Sequence, residues 1–358
     1  MELSLPDQVQ QKLTEFLQSR RVEADDLDPA FGAAVAELAD FVLTGGKRIR
    51  PTFAWWGWRA GGGSDEGPAA VAMLRAASAL ELIQACALVH DDLIDESDTR
   101  RGNPTVHRKF ERTHRESGFA GDGTQFGMAS AVLLGDLALS WADDMLHSAG
   151  IPPAALNRAL RPWRAMRTEV LAGQYLDVLG QVRVDETPQA ALRICQLKSA
   201  SYTVQRPLEL GAEIAGATPA ALDALRRFGS DIGVAFQLRD DLLGVFGDPA
   251  VTGKPAGDDL REGKRTVLIA EATATARERG DQQALDLLHS VLGDPALDAQ
   301  RVERAREVLT ELGAVAAVEE RITDLTGSAL HALHGAGLAE PAASRLAELA
   351  VAVTDRTR

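Results

Sequence analysis

A chain of 358 residues can bury a self-sufficient core, as one large domain or two ordinary ones. A formal net charge of −14 argues against a nucleic-acid surface and makes each local basic cluster conspicuous. No apolar run approaches the length of a membrane span, and the first residues lack a signal-peptide core, so a cytoplasmic protein without a transmembrane segment is expected. Ala and Leu dominate the apolar residues, and Val, Ile, Tyr and Phe never alternate for long, which predicts an all-α protein. Cys86 and Cys195 each lie in an apolar helical pattern and read as buried free thiols.

Residues 1–29 are polar and acidic, with a short amphipathic helix over 9–17, and read as a peripheral N-terminal arm; an all-helical domain is expected over 30–358. A second amphipathic helix over 31–43 runs into Gly45-Gly46-Lys47-Arg48-Ile49-Arg50-Pro51. The glycine pair ends the helix, and three cations on a turn closed by proline suggest an anion pocket in this acidic chain. Trp55, Trp56 and Trp58 follow at once and read as core packing that pins the turn.

After Pro68 no Gly or Pro interrupts residues 69–101, which predicts one long buried helix. It ends in Leu88-Val89-His90-Asp91-Asp92-Leu93-Ile94-Asp95, followed by Arg100 and Arg101. Asp91 and Asp95 share a helix face at a spacing of four. Carboxylates one turn apart repel, and unpaired buried charge is costly, so a cation belongs between them. Oxygen-only ligands suit Mg2+, which commonly joins one or two carboxylates to phosphate oxygens, and arginine forks match the same oxygens.

A polar loop over 116–127 precedes apolar helices over 128–146 and from 153 to about 179; the latter places Gln174 and Asp177 on one face. Thr187-Pro188 and Thr218-Pro219 each read as an N-cap with proline at the first helical position. The first opens a helix carrying Lys198 and Ser199, and the second opens another; then Gly233 to Asp248 reads as a second buried helix that contains Gln237 and ends in the paired carboxylates Asp240 and Asp241. A glycine-rich loop with Lys254 and Lys264 comes next. Beyond residue 266 the chain reads as amphipathic helical scaffold, and no linker divides it.

Two acidic helix ends, each followed by cations, describe a trap for a metal-bridged diphosphate, with walls of Ala, Leu, Val and Ile suited to a hydrocarbon tail. In their order these motifs resemble those of the trans-isoprenyl diphosphate synthases of the polyprenyl synthetase family. Residues 45–51 resemble its Gly-Gly-Lys-Arg motif. His90 to Asp95 with Arg100 and Arg101 resembles the first aspartate-rich motif. Gly173-Gln174 with Asp177, and Lys198-Ser199, resemble two further short elements. Phe236 to Asp241 resembles the second aspartate-rich motif, and Gly253-Lys254-Pro255 with Asp259 and Lys264 its following loop.

The resemblance implies a single-domain isoprenoid-synthase helical bundle around a central cavity, acting as a homodimer. It implies three Mg2+ ions per site, ligated by Asp91, Asp95 and Asp240 and supported by Asp92 and Asp241. Arg100, Lys198, Ser199, Gln237, Lys254 and Lys264 would face the allylic diphosphate (dimethylallyl, geranyl or farnesyl), with Ser199 and Gln237 placing oxygens near the carbocation. Lys47, Arg50, Gln84 and Arg101 would hold isopentenyl diphosphate. Gly244 stands where the second motif ordinarily ends in a carboxylate, so metal is expected to be retained more weakly and Gly244→Asp to change turnover modestly. Cys86 and Ala87, one turn before Asp91, lack the aromatic floor of short-chain members, and Ile83 with Leu82 could close the cavity near twenty carbons. Geranylgeranyl diphosphate is therefore the expected product. A longer-chain synthase fits the same small floor residues, whereas a class I terpene cyclase would not need the Gly-Gly-Lys-Arg cluster and a non-catalytic partner subunit would not keep the aspartates.

Overall fold

The computed structural model describes residues 3–100, 102–247 and 257–355. Helices dominate these residues; the only strands among them are β1 (Thr99–Arg100) and β2 (Asn103–Pro104), a two-residue antiparallel ladder pairing Thr99 with Pro104 and Arg100 with Asn103. Chain contacts separate two compact units that interleave in sequence. One contains the chain up to Trp163 with Pro207–Leu222 and Ala339–Ala342; the other contains Arg164–Arg206, Asp223–Leu338 and Ala343 onward. No linker marks the division, because two of its boundaries fall inside the helices α7 (Pro153–Arg183) and α10 (Pro219–Phe246).

In the first unit, α1 (Leu5–Leu27) is longer than the segment predicted over 9–17 and is not peripheral: Val9 and Leu13 are fully buried. The spacing of four between Val9, Leu13 and Leu17 gives a polar helix one apolar stripe, which suffices for docking. Asp28 accepts from the Ala30 N–H at 2.7 Å and so caps α2 (Pro29–Leu43), with proline at the position where a missing N–H costs nothing. After α3 (Ile49–Ala60), α4 (Gly67–Ile94) is buried along most of its length, with Met73, Ala76, Ala77, Leu80 and Leu82 inaccessible. This helix is long and apolar enough to cross a membrane, contrary to the sequence expectation; 72% of its most apolar window is buried inside the protein, as in a core helix. α4 also stops earlier than predicted. Asp95 caps it and Glu96 takes a left-handed conformation (φ 52°), which turns the chain into the β1–β2 hairpin. Then come α5 (Val106–Glu116) and α6 (Gly123–His147), which begins inside the segment predicted as loop because Asp122 caps it.

In the second unit, α8 (Pro188–Ile194) begins at the predicted Thr187 cap and passes directly into a π-helix, Cys195–Gln205; α9 (Arg206–Ala215) follows and belongs, from Pro207 on, to the first unit. The π-helix was not predicted. Its residues have no distinguishing composition, and its wider turn is a tertiary effect. Gly173 on α7 and Gly233 on α10 explain how it is accommodated. A Cβ on Gly173 would stand 2.3 Å from the Lys198 backbone nitrogen, and one on Gly233 would stand 2.6 Å from the Ala200 carbonyl oxygen. Both neighbours therefore press backbone to backbone against the swollen turn. The core of this unit gathers Leu238, Leu242 and Val245 of α10, Leu260 of α11 (Asp258–Arg261) and Val267, Leu268 and Ile269 of α12 (Val267–Arg279). The later helices α13 (Gln282–Val291), α14 (Ala299–Glu311) and α15 (Ala314–Leu333) complete it with Leu288, Val302, Leu309 and Ile322. This is the scaffold expected beyond residue 266.

Candidate active site

The basic turn is built differently from the sequence expectation. Gly45 (φ 74°) and Gly46 (φ 94°) release the chain from α2, and Lys47 is exposed. Arg48 turns inward instead of joining an anion pocket. Its Nη1 donates to Glu81 Oε2 at 2.6 Å and its Nη2 to the Val42 carbonyl at 3.0 Å, with Gln10 a further acceptor, and both charged side chains are almost fully buried. Glu81 was missed in the sequence. A lone acid in an apolar helical run requires a buried cation, which was the available signal. Gln84 lies three residues along α4 from Glu81 and is partly exposed, and Arg50 is buried. Arg101 and Lys254 lie outside the described residues.

At the α4 tip, Asp92 is buried and Asp91 is partly exposed. Arg100 reaches back from β1 to both: its Nε and Nη2 lie 2.6 and 2.5 Å from Asp92 Oδ1, and Nη2 is 3.5 Å from Asp91 Oδ2. The hairpin that presents Arg100 is tied down by the Thr105 hydroxyl, which donates to the Ser97 carbonyl at 2.8 Å. Asp95, the helix cap, is partly exposed, and its N–H donates to the Asp91 carbonyl at 2.8 Å. One turn inside the tip, the Cys86 thiol lies 3.7 Å from His90 Nδ1; burial, reinforced by Asp136, pushes the thiol up to about 12, so it stays protonated. Ile83 and Leu82 are buried in the turn above, and Ala87 is partly exposed.

In the second unit, Lys198 Nζ donates to Asp177 Oδ2 at 2.6 Å, so the predicted face of α7 orients the lysine of the π-helix. Ser199 is partly exposed beside it. A second ion pair, unforeseen in the sequence, holds the far end of the π-helix: Arg206 Nη2 and Nε donate to Glu169 at 2.6 and 2.9 Å, and Ser201 donates to the same carboxylate.

The α10 tip repeats the pattern of the first. Asp240 is exposed and Asp241 buried. Arg239, between a core leucine and the acids, clamps Glu319 bidentately at 2.6 Å and donates to the Thr354 carbonyl at 2.8 Å, which fixes the tip. Gln237 Nε2 donates to Asp241 Oδ1 at 2.7 Å. Burial, then the nearby Asp259 and Asp240 carboxylates, push Asp241 up to about 8 against the lowering effects of Gln237 and Lys264. Lys264 Nζ lies 3.5 Å from Asp259 Oδ1 and also pairs with Glu262.

The donor set of both tips is carboxylate oxygen, which suits a hard divalent cation. Among the described residues no three acidic, His or Cys side chains converge tightly enough to hold a metal by themselves. Mg2+ takes one or two carboxylates and completes its shell with water and phosphate. Asp91, Asp95 and Asp240 are the accessible members, while Asp92 and Asp241 are buried behind the first of each pair.

The polyprenyl synthetase family model matches residues 33–309. A crystal structure of geranylgeranyl pyrophosphate synthase from Corynebacterium glutamicum, complexed with isoprenyl diphosphate and magnesium, is 46% identical. It aligns over 99% of this chain and 100% of its own with a TM-score of 0.94. A geranylfarnesyl diphosphate synthase of Natronomonas pharaonis is 33% identical over 72% of this chain and 68% of its own length. A farnesyl diphosphate synthase of Mycobacterium tuberculosis is 32% identical over 71% and 64%. These relatives differ in the product their names state. Helical fold, ordered motifs and relatives agree: the chain belongs to the polyprenyl synthetase family, and it is a prenyltransferase of trans-isoprenoid chain elongation.

Proposed function

We propose that the protein condenses isopentenyl diphosphate head-to-tail with an allylic diphosphate (dimethylallyl, geranyl or farnesyl), releasing diphosphate and ending at geranylgeranyl diphosphate. The observation that carries this reading is the paired construction of the α4 and α10 tips, each with an accessible carboxylate ahead of a buried one. Three Mg2+ ions held by Asp91, Asp95 and Asp240 would supply charge neutralisation for the departing diphosphate. Arg100 and Lys198, oriented by Asp92 and Asp177, hold the allylic diphosphate with Lys264 and Lys254. Lys47, Arg50, Gln84 and Arg101 hold isopentenyl diphosphate; Arg48, locked on Glu81, keeps that turn against α4. Ser199 and Gln237 place oxygens toward the allylic carbon as its C–O bond breaks. The isopentenyl double bond then attacks that carbon, and the released diphosphate accepts the proton lost.

The small residues Cys86 and Ala87 leave room beside α4, and the packed Ile83 and Leu82 support closure of the well at twenty carbons. The exposed apolar row Phe126, Met128, Val132 and Leu133 on α6 supports a homodimer, and we place the enzyme in the cytoplasm. The test is product length from each allylic primer with isopentenyl diphosphate and Mg2+, read by chromatography. A C20 product that shortens in Cys86→Phe is expected; a longer series, or no Mg2+-dependent diphosphate release by the purified chain, overturns the assignment. Light scattering reporting a monomer would remove the dimer.

A further inference from the structure

We infer, on the reading of Lys198 and Lys264 as ligands of the allylic diphosphate, that Glu186 is a positioning residue that fixes these two lysines relative to each other. Glu186 is buried in the connection from α7 to α8. Val184 takes a left-handed backbone there (φ 55°), rare for a β-branched residue, and the Asp185 N–H donates to the Gly180 carbonyl at 3.0 Å. The Asp185 carboxylate accepts from the Thr187 N–H at 3.1 Å and from its hydroxyl at 2.8 Å. The Thr187 hydroxyl oxygen in turn accepts from the Ala190 N–H at 3.3 Å and caps α8. Glu186 is thus set firmly against the start of α8, which runs without a break into the π-helix that carries Lys198.

Its carboxylate gathers the segment of the other lysine. Arg265 Nη1 donates to Oε1, Arg277 Nη2 donates to Oε2, and His289 Nε2 lies 3.3 Å from the same carboxylate. Arg265 directly follows Lys264 and precedes Thr266, whose hydroxyl oxygen caps α12 by accepting from the Ile269 N–H at 3.5 Å. Arg277 lies in the last turn of α12. One carboxylate therefore joins the helix of Lys198 to both ends of the helix that follows Lys264. Stability alone does not call for such a cluster, because replacing a buried ionic group by packed apolar side chains is often neutral or stabilising. A charged hub adds directional register, since guanidinium and carboxylate meet at fixed distance and angle. Binding groups that share one diphosphate need that register. Asp177 already aims Lys198 from α7; Glu186 sets where that pair stands with respect to Lys264. Lys47, Arg50 and Gln84 belong to the other compact unit, so the two substrates respond differently to Glu186.

Steady-state kinetics of the full-length protein with Mg2+, farnesyl diphosphate and isopentenyl diphosphate read the split. Glu186→Gln should raise the KM for farnesyl diphosphate about tenfold, the scale of a small misplacement of binding groups. The KM for isopentenyl diphosphate should stay within about twofold of wild type, as for an independent site. Arg277→Gln takes a donor from the same carboxylate at the far end of α12, so it should lower stability and leave both KM values within about twofold. Glu186→Gln combined with Arg265→Gln should be no worse than Arg265→Gln alone, because the two act through one contact. Arg265→Lys keeps the charge and should raise the farnesyl diphosphate KM about threefold through loss of the guanidinium fork. That variant decides the matter if Glu186→Gln does not fold. An unchanged farnesyl diphosphate KM, equal rises in both KM values, or an effect of Arg277→Gln as large as that of Glu186→Gln overturns the inference. Lys198→Ala and Lys264→Ala that both leave this KM at its wild-type value overturn instead the reading of the lysines as diphosphate ligands.

Discussion

The tips of α4 and α10 carry nearly the same residues yet balance their charge in different ways. At α4 the buried Asp92 faces a full cation, the Arg100 guanidinium, delivered by a hairpin a few residues later. At α10 the buried Asp241 faces a neutral amide, Gln237, and a second carboxylate, Asp259. The buried acid of the first tip therefore has a full counter-charge among the described residues, whereas that of the second stands in crowded acid. Two copies of one motif need not have one electrostatic state; what the neighbouring segment delivers decides it.

The broadest test removes the accessible acid of each tip. Asp91→Ala and Asp240→Ala should each lower turnover by about a thousandfold, the scale of losing charge stabilisation at a leaving group. Diphosphate release at saturating Mg2+ measures it, and a mild effect at either tip would mean that the two do not act on one substrate. A sharper test is Arg100→Ala, which removes the described counter-charge of the buried Asp92 beside Asp91. It should cost about 3 kcal/mol in chemical denaturation. Mg2+ with diphosphate should recover part of that loss, and its failure to do so would show that the α4 tip is not a cation site.

Gly173→Ala addresses the lysine instead of the acids. Its Cβ must push the π-helix backbone away from α7, so a loss of about 2 kcal/mol is expected, with weaker diphosphate binding through Lys198. Stability and affinity that both match wild type would show that the close crossing is dispensable.

The smallest effect concerns the chain behind the α10 tip. Glu186 is buried and receives Arg265, the neighbour of Lys264, together with Arg277 and His289. Burial alone would raise its carboxyl, but donation from Arg265 and His289 holds it below its ordinary value of 4.5. A depressed folded pKa stabilises fully above that ordinary value, and the contribution is lost as pH falls through the folded value. Glu186→Gln should cost about 1.5 kcal/mol near neutral pH, the scale of one hydrogen bond to a charged group. It should also flatten the loss of stability on acidification below about 4.5. A variant that follows the wild-type acid curve would assign that loss to other carboxylates.

Much of this was legible because it depends on local chemistry. Helical periodicity, the Thr187 and Thr218 caps and the shared face of Asp91 and Asp95 all follow from spacing along a 3.6-residue turn. The end of α4 was misread because no glycine or proline marks it; a cap at Asp95 and a left-handed Glu96 close it instead. Arg48 was misread because cations on a turn look alike until a buried partner such as Glu81 appears from 33 residues away.

The amino-acid sequence by itself determined the helical class, the family and the acid-bearing motifs, since each rests on residue type and short spacing. Tertiary structure alone decided the π-helix pressed between Gly173 and Gly233, the inward turn of Arg48 and the gathering of Arg265, Arg277 and His289 on Glu186. Each of those is a long-range contact between backbone or charge, and no local pattern encodes a partner whose distance along the chain is set only by packing.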